Sequence, residues 1–253
     1  MIFDRRRYRA DNYVYLLAEG SDAALVDPGD PAVALRLAAD HGVRPRFVLH
    51  THGHPDHAGG TAEVARRLGA TVYGSAGDAG WYAPDVDVAG RRALALGALR
   101  IAVHHVPGHT PGSVAYECSG RLLTGDTLFW GGAGNCKHGG DPARLAASFL
   151  DVLAALDGAL EVHPGHDYAE ANLPFALDLE PGNEAARAQL AAAGDARARG
   201  EEPAPTTLER ERAANPFLRA AGLIPALRRR GIACADAREA FVAIRRLKDS
   251  WKG

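Results

Sequence analysis

Thr51-His52-Gly53-His54-Pro55-Asp56-His57 is the stretch on which the reading of the whole chain turns. It follows Phe47 to His50, an apolar run of strand type, and precedes Thr61 to Leu68, which opens on a capping-type Thr, has helical spacing and stops at Gly69. The motif therefore lies in a loop at the C-terminal end of a strand, where layered α/β folds tend to carry their active sites. Three imidazoles and a carboxylate within six positions need something that neutralises and orients them, and borderline-soft divalent ions prefer such nitrogen and oxygen donors.

Working outward, the same context recurs. His109 sits in Pro107-Gly108-His109-Thr110-Pro111-Gly112 after the run Leu99 to Val106, Asp126 in Thr124-Gly125-Asp126-Thr127 after Leu122 and Leu123, and His166 in Pro164-Gly165-His166 after Leu160 to Val162. Each is a strand followed by a Gly-flanked turn with one ligand-type side chain, so four strand ends can converge on one point. The seven donors His52, His54, Asp56, His57, His109, Asp126 and His166 exceed what one tetrahedral zinc needs and suit two ions sharing a carboxylate. His41, His50, His104, His105, His138 and His163 lack the turn context and read as packing or surface residues. For His41 a place at a helix C-terminus, beside the helix dipole, is explanation enough.

Further strands are expected at Tyr13 to Leu17, Ala23 to Val26, Thr71 to Tyr73 and Ser113 to Glu117. Helices are expected over Pro31 to His41, opened by Asp30 and Pro31 and closed by Gly42, and over Asp141 to Leu156. After His166 no strand is apparent and alanine-rich amphipathic segments take over, near Tyr168 to Leu179, Asn183 to Arg199, Thr206 to Ala214 and Asp236 to Lys248. Two of these carry capping boxes, Thr206 with Glu209 and Asp236 with Glu239. The chain is accordingly expected to divide into an α/β metal-binding domain, residues 1–166, and a smaller helical domain, residues 167–253.

Composition sets limits on the function. A net charge of -2 over 253 residues gives no global attraction to nucleic acid, and no apolar stretch approaches the roughly 20 residues a bilayer span needs. Three cysteines without a CxxC pair argue against a disulfide framework and, with no signal-peptide pattern after Arg5-Arg6-Arg7, point to the cytoplasm.

The set His-x-His-x-Asp-His with a later lone His, Asp and His resembles the metallo-β-lactamase superfamily. That resemblance implies an αββα sandwich with the site at one edge, His52, His54 and His109 on one ion, Asp56, His57 and His166 on the other, and Asp126 bridging them. Within the superfamily the chain is similar to glyoxalase II, the hydroxyacylglutathione hydrolases, through Asp11-Asn12-Tyr13-Val14-Tyr15-Leu16, Val26-Asp27-Pro28, Asp56-His57-Ala58-Gly59-Gly60 and Gly125-Asp126-Thr127-Leu128-Phe129. The tail is the discriminating part, with Gly165-His166-Asp167-Tyr168, Glu180-Pro181-Gly182-Asn183 and Asn215-Pro216-Phe217-Leu218-Arg219.

This resemblance implies hydrolysis of S-D-lactoylglutathione, a 2-hydroxyacylglutathione thioester, to D-lactate and glutathione by a metal-bridging hydroxide. Asp126 would position both ions, and Asp56 would serve as ligand and proton acceptor. It also implies two divalent ions, zinc first and iron or manganese next; a monomer or weak homo-oligomer is expected. The thiol carrier would be held by Tyr168, Arg245 and Lys248, with Arg245 and Lys248 presenting two cations on one face of the last helix. The loop Gly132 to Asp141 departs from the family pattern, and there Lys137 is the residue able to supply the family's basic contact. An iron-dependent persulfide dioxygenase, or a hydrolase of another thiol ester, is the alternative within the same superfamily.

Overall fold

Alternate residues of one strand face two different cores, and this sets the layers. In the computed structural model, which describes residues 1–252, Tyr13, Tyr15 and Leu17 point into a core between two sheets, while Val14, Leu16 and Ala18 pack under helices on the outer face. The period-two geometry of a strand makes this division automatic.

The first sheet runs β1 (Ile2–Tyr8), β2 (Asn12–Glu19), β3 (Asp22–Val26), β4 (Phe47–Leu49), β5 (Thr71–Gly74), β6 (Val86–Asp87), antiparallel up to β3 and parallel from there on. Parallel neighbours need crossovers, supplied by α1 (Pro31–Asp40) and by α2 (Pro55–Ala58) with α3 (Thr61–Leu68). Asp30 caps α1, accepting from the Val33 N–H at 3.0 Å, as the sequence suggests. Thr61 does not cap α3; its hydroxyl pairs with Nε2 of the buried His50 at 2.7 Å, while His50 Nδ1 faces Asp27 Oδ1 at 3.6 Å.

The second sheet comprises β7 (Ala93–Leu96), β8 (Leu99–His105), β9 (Val114–Cys118) and β10 (Arg121–Gly125), then, after a hairpin of β11 (Leu128–Phe129) and β12 (Gly132–Ala133), β13 (Glu161–Pro164), parallel to β10. Between hairpin and β13 lies α4 (Pro142–Ala147), and the remaining helices are α5 (Ala169–Leu179), α6 (Glu184–Ala198), α7 (Leu208–Ala214), α8 (Ala220–Arg229) and α9 (Ala237–Ser250). Helices outside, two sheets inside: the αββα sandwich is present, followed by a helical C-terminal part.

Short strands such as β6, β7, β11 and β12 go beyond the sequence reading, and four further elements differ from it for physical reasons. β1 looks like a charged terminus, but it is an edge strand, where charged side chains are expected, and Arg5 lies over Tyr13 and Trp130. A strand does follow His166: β14 (Thr206–Thr207) pairs with β13, and Thr207, not Thr206, caps α7 by accepting from the Arg210 N–H at 3.3 Å. The helix expected over Asp141 to Leu156 gives way after Ala147 to a wider π turn and a 3₁₀ turn. Leu145, Phe149 and Leu153 are spaced by four and all fully buried, and widening the turn keeps such a row on one face. α8 is hidden by Gly222 and Pro225, yet Ala220, Leu223 and Leu227 give it a buried stripe.

Candidate metal centre

β4, β8, β10 and β13 end at the same edge of the sandwich, and the turn after each delivers its ligand-type side chains to one place. His52, His54 and His109 form one cluster of donor atoms, and Asp56, His57 and His166 form a second. His54 precedes α2, and Pro55 starts that short helix, so Asp56 and His57 turn towards the second cluster. Asp126 lies between them: Oδ2 is 3.9 Å from His52 Nε2, 3.6 Å from His109 Nε2 and 3.4 Å from His166 Nε2, and Oδ1 is 3.3 Å from His57 Nε2. Close approach here depends on Gly165, where a Cβ would fall 2.3 Å from Asp126 Oδ1 and 2.7 Å from His57 Cε1.

Every ring is also held from behind. His166 Nδ1 is 2.8 Å from Asp11 Oδ1, His57 Nδ1 is 3.3 Å from Asp27 Oδ2, and His109 Nδ1 is 2.7 Å from the Asn135 carbonyl. His52 Nδ1 is 3.1 Å from Thr51 Oγ1, which in turn donates to Asp27 at 2.6 Å, and His54 Nε2 is 3.5 Å from the His138 carbonyl. These outer acceptors place an N–H outward on each ring and leave a lone pair inward. Asp27 groups by distance with His52 and His57, but its carboxylate is spent on Thr51 and His57 and stands behind the rings.

The inward atoms fit metal ions. His54 Nδ1 and His109 Nε2 are 3.0 Å apart and His57 Nε2 and His166 Nε2 3.1 Å apart; donors bound at about 2.0–2.1 Å to one tetrahedral ion stand about 3.3 Å from each other. His52 Nε2 and Asp126 Oδ1 are buried with no hydrogen-bond partner among the described residues. Electrostatics agree. Burial disfavours charged imidazoles, yet Asp126, aided by Asp27 at His57 and by Asp56 and Asp11 at His166, pushes these rings up to about 10 and about 11. Burial also opposes ionisation of Asp126, but His166, His57 and His52 hold it well below the carboxylate range, while burial and His57 hold His52 well below the imidazole range. The centre thus calls for positive charge that the protein supplies only by protonating its own ligands.

Two family models match the chain: the metallo-beta-lactamase superfamily over residues 8–166, and the hydroxyacylglutathione hydrolase C-terminus over residues 167–251. A hydroxyacylglutathione hydrolase from Anaeromyxobacter dehalogenans is 67% identical, over 98% of this chain and 99% of that one. This chain belongs to the hydroxyacylglutathione hydrolases of the metallo-beta-lactamase superfamily. A second hydroxyacylglutathione hydrolase, from Halorhodospira halophila, is 41% identical over 95% of this chain and 96% of that one. Among solved structures, ETHE1 from Myxococcus xanthus superposes with a TM-score of 0.71 at 27% identity, covering 97% of this chain and 90% of its own. TTHA1623 in a di-iron-bound form gives 0.57 at 28%, covering 81% and 94%.

Of the residues that likeness to the hydroxyacylglutathione hydrolases points to for substrate, Tyr168 stands at the metal cleft, a space of ≈ 450 Å³ that it lines with His54, Trp81 and Asn135. Its ring stacks on His166 at 4.8 Å and 8°. Lys137 is exposed on the loop between Asn135 and His138. Lys248 is half-buried over the Phe175 and Trp251 rings, with Nζ donating to the Ala171 carbonyl. Arg245 and Lys248 share a face of α9, but that face is packed instead of open, because Phe241, Ile244 and Arg245 form its buried stripe. Arg245 is 4% exposed and donates to the carbonyls of Ala133 at 2.8 Å and Gly134 at 3.2 Å.

Sequence reasoning gave no role to Asp11, Asn12 and Asp27, although all lie in stretches that carried the resemblance. For Asp27 a signal was present, since it follows β3 in the same strand-then-turn context as the ligands; its φ of 52° turns the chain there. Asp78, fully buried, accepts from the Gly53 and Gly112 N–H groups and the Thr110 hydroxyl, tying the first ligand loop to the His109 loop. His138, read as a surface residue, brings its carbonyl to His54.

Proposed function

We propose that this chain hydrolyses the thioester bond of S-D-lactoylglutathione and related 2-hydroxyacylglutathiones, releasing the 2-hydroxy acid and glutathione. The observation that carries this reading is the position of Asp126, within 3.3–3.9 Å of inward imidazole nitrogens from both clusters, in a chain whose tail matches the hydroxyacylglutathione hydrolase C-terminus. His52, His54 and His109 would hold one ion and Asp56, His57 and His166 the other, with Asp126 shared. Divalent ions held there supply, when bound, Lewis-acid polarisation of the thioester carbonyl and a water acidic enough to react near neutral pH.

The protein's own groups account for the remainder. Asp56, on the cleft wall, has Oδ2 oriented by Asn12 Nδ2 at 3.0 Å and is placed to take the proton of the attacking water. Tyr168 forms the thiol-side wall. Burial pushes its hydroxyl well above the ordinary phenol range, so it remains a donor at neutral pH. Lys137 and Lys248 would supply positive charge for the carboxylates of a peptide thiol. No protein nucleophile is required, and the thiolate leaves as the tetrahedral adduct collapses.

Zinc is the ion we assign, with iron or manganese accepted by the same donors; a related protein solved with two irons supports the latter. The three cysteines, all unpaired, accord with a reducing cytoplasm. The seven candidate donors and Tyr168 lie together within one chain, which accords with a monomer or weak homo-oligomer.

The test is the fall in thioester absorbance when metal-analysed protein meets S-D-lactoylglutathione beside an oxygen electrode. Rapid hydrolysis without oxygen uptake is expected. Protein loaded with two ions that leaves the thioester intact would refute the proposal, and oxygen consumption with a glutathione persulfide would replace it with the dioxygenase reading.

A further inference from the structure

The outer hydrogen bonds that fix the imidazoles divide by origin. His57 and His166 lean on Asp27 and Asp11, carboxylates on the turns of the first sheet. His109 and His54 lean on the main-chain carbonyls of Asn135 and His138, both on the strap that leaves β12. A main-chain acceptor keeps its direction only as firmly as the segment that carries it.

This strap and its hairpin are held by the helical C-terminal part. Asn215 Nδ2 donates to the Phe129 carbonyl at 3.2 Å and the Gly132 carbonyl at 2.9 Å, and Glu211 Oε2 accepts from the Gly131 N–H at 2.9 Å. Arg245 closes the set on the Ala133 and Gly134 carbonyls, with Asp249 on its Nε at 3.1 Å and its guanidinium 5.2 Å from the Phe217 ring centre. All three side chains are buried. Gly134 lies so near the centre that a Cβ would fall 2.0 Å from the Asp126 carbonyl oxygen and 2.8 Å from His109 Nδ1. Any slackening of the strap therefore reaches the His109 ring directly.

We infer that Arg245 is a positioning residue that, through the strap and the Asn135 carbonyl, sets the affinity of the ion held by His52, His54 and His109 and not that of the ion held by Asp56, His57 and His166. The inference rests on the two-ion reading proposed above. Outer partners of metal-bound histidines are worth about 10–100-fold in affinity, and Arg245 acts one link further out, so an effect of about tenfold is expected.

The experiment follows zinc per chain as the zinc-loaded wild type and its Arg245→Met, Arg245→Lys and Asp11→Asn variants meet rising chelator, with cobalt-loaded protein giving the absorption bands of each ion. Arg245→Met keeps the apolar stem over Phe217 and removes the donors. It is expected to release one of its two ions at about tenfold lower chelator and to keep the other as wild type does. Arg245→Lys, which retains a donor, is expected to recover part of the loss and to report even if Arg245→Met fails to fold. Asp11→Asn should loosen the ion that Arg245→Met leaves tight. Wild-type retention of both ions by Arg245→Met with a raised KM alone would overturn the inference, as would loosening of both ions together. A wild type that holds fewer than two ions would overturn the two-ion reading, and this inference with it.

Discussion

The Nε2 atoms of His57 and His166 lie 3.1 Å apart, while the opposite nitrogen of each ring is engaged by an aspartate, Asp27 at 3.3 Å and Asp11 at 2.8 Å. Two rings this close crowd each other at their inward nitrogens, carrying protons when no metal is bound, and a cation that replaces those protons relieves the crowding. Ion binding should therefore couple to folding: at a free ion concentration a hundredfold above Kd, each ion adds about 2.7 kcal/mol of stability. Thermal melts of chelated protein should rise by several degrees on adding zinc. An unchanged midpoint would contradict the assignment.

Gly165 is a position at which the centre tolerates no side chain. Gly165→Ala places a Cβ against Asp126 Oδ1 and His57 Cε1, and overpacking of this kind costs about 1–3 kcal/mol. Lower metal content and a large loss of kcat are expected together, read by elemental analysis and steady-state hydrolysis. Wild-type values for both would show that the turn relaxes freely.

Lys248 should report on substrate binding through pH. Burial, then the neighbouring Arg245, lower its ammonium to about 8, so its positive charge is present below that pH and lost above it. KM for a glutathione thioester is expected to rise as pH passes about 8, and Lys248→Met should remove that rise while leaving kcat nearly intact. A KM profile identical in the variant would take Lys248 out of the substrate site.

Glu211 gives a stability signature of its own. Burial, against the donors Gly131 and Asn215, raises its carboxyl from 4.5 to about 7. The folded state then holds a proton that the unfolded chain has lost, so this contribution is full below pH 4.5 and disappears as pH rises through about 7. Its size is on the order of 3 kcal/mol at most. Denaturation midpoints of Glu211→Gln should vary less between pH 5 and 7 than those of the wild type. Parallel curves would place the titration elsewhere.

That seven candidate donors would gather at one place was legible because imidazoles and carboxylates after four strands are a chemical pattern as well as a structural one. The outer residues were not. A lone carboxylate such as Asp11 or Asp27 at a turn reads equally well as turn chemistry, and only tertiary contact shows which histidine it faces. Acceptors such as the Asn135 and His138 carbonyls have no side-chain signature at all. Two-residue strands such as β14 fall below the length at which alternation can be seen. Arg245 shows the limit most directly: helical spacing placed it beside Lys248, but burial and the backbone carbonyls it meets are properties of the packed fold.

The most direct measurement is the metal-to-protein ratio of the purified chain and of Asp126→Ala, with S-D-lactoylglutathione hydrolysis followed in the same samples. Expected are two ions per wild-type chain with oxygen-independent turnover, and in Asp126→Ala the loss of at least one ion with a fall in kcat of at least about a hundredfold, comparable to removing a principal electrostatic element of a site. A variant that turns over at near the wild-type rate, or a wild type fully active with a single ion, would contradict a centre built on the shared Asp126 carboxylate.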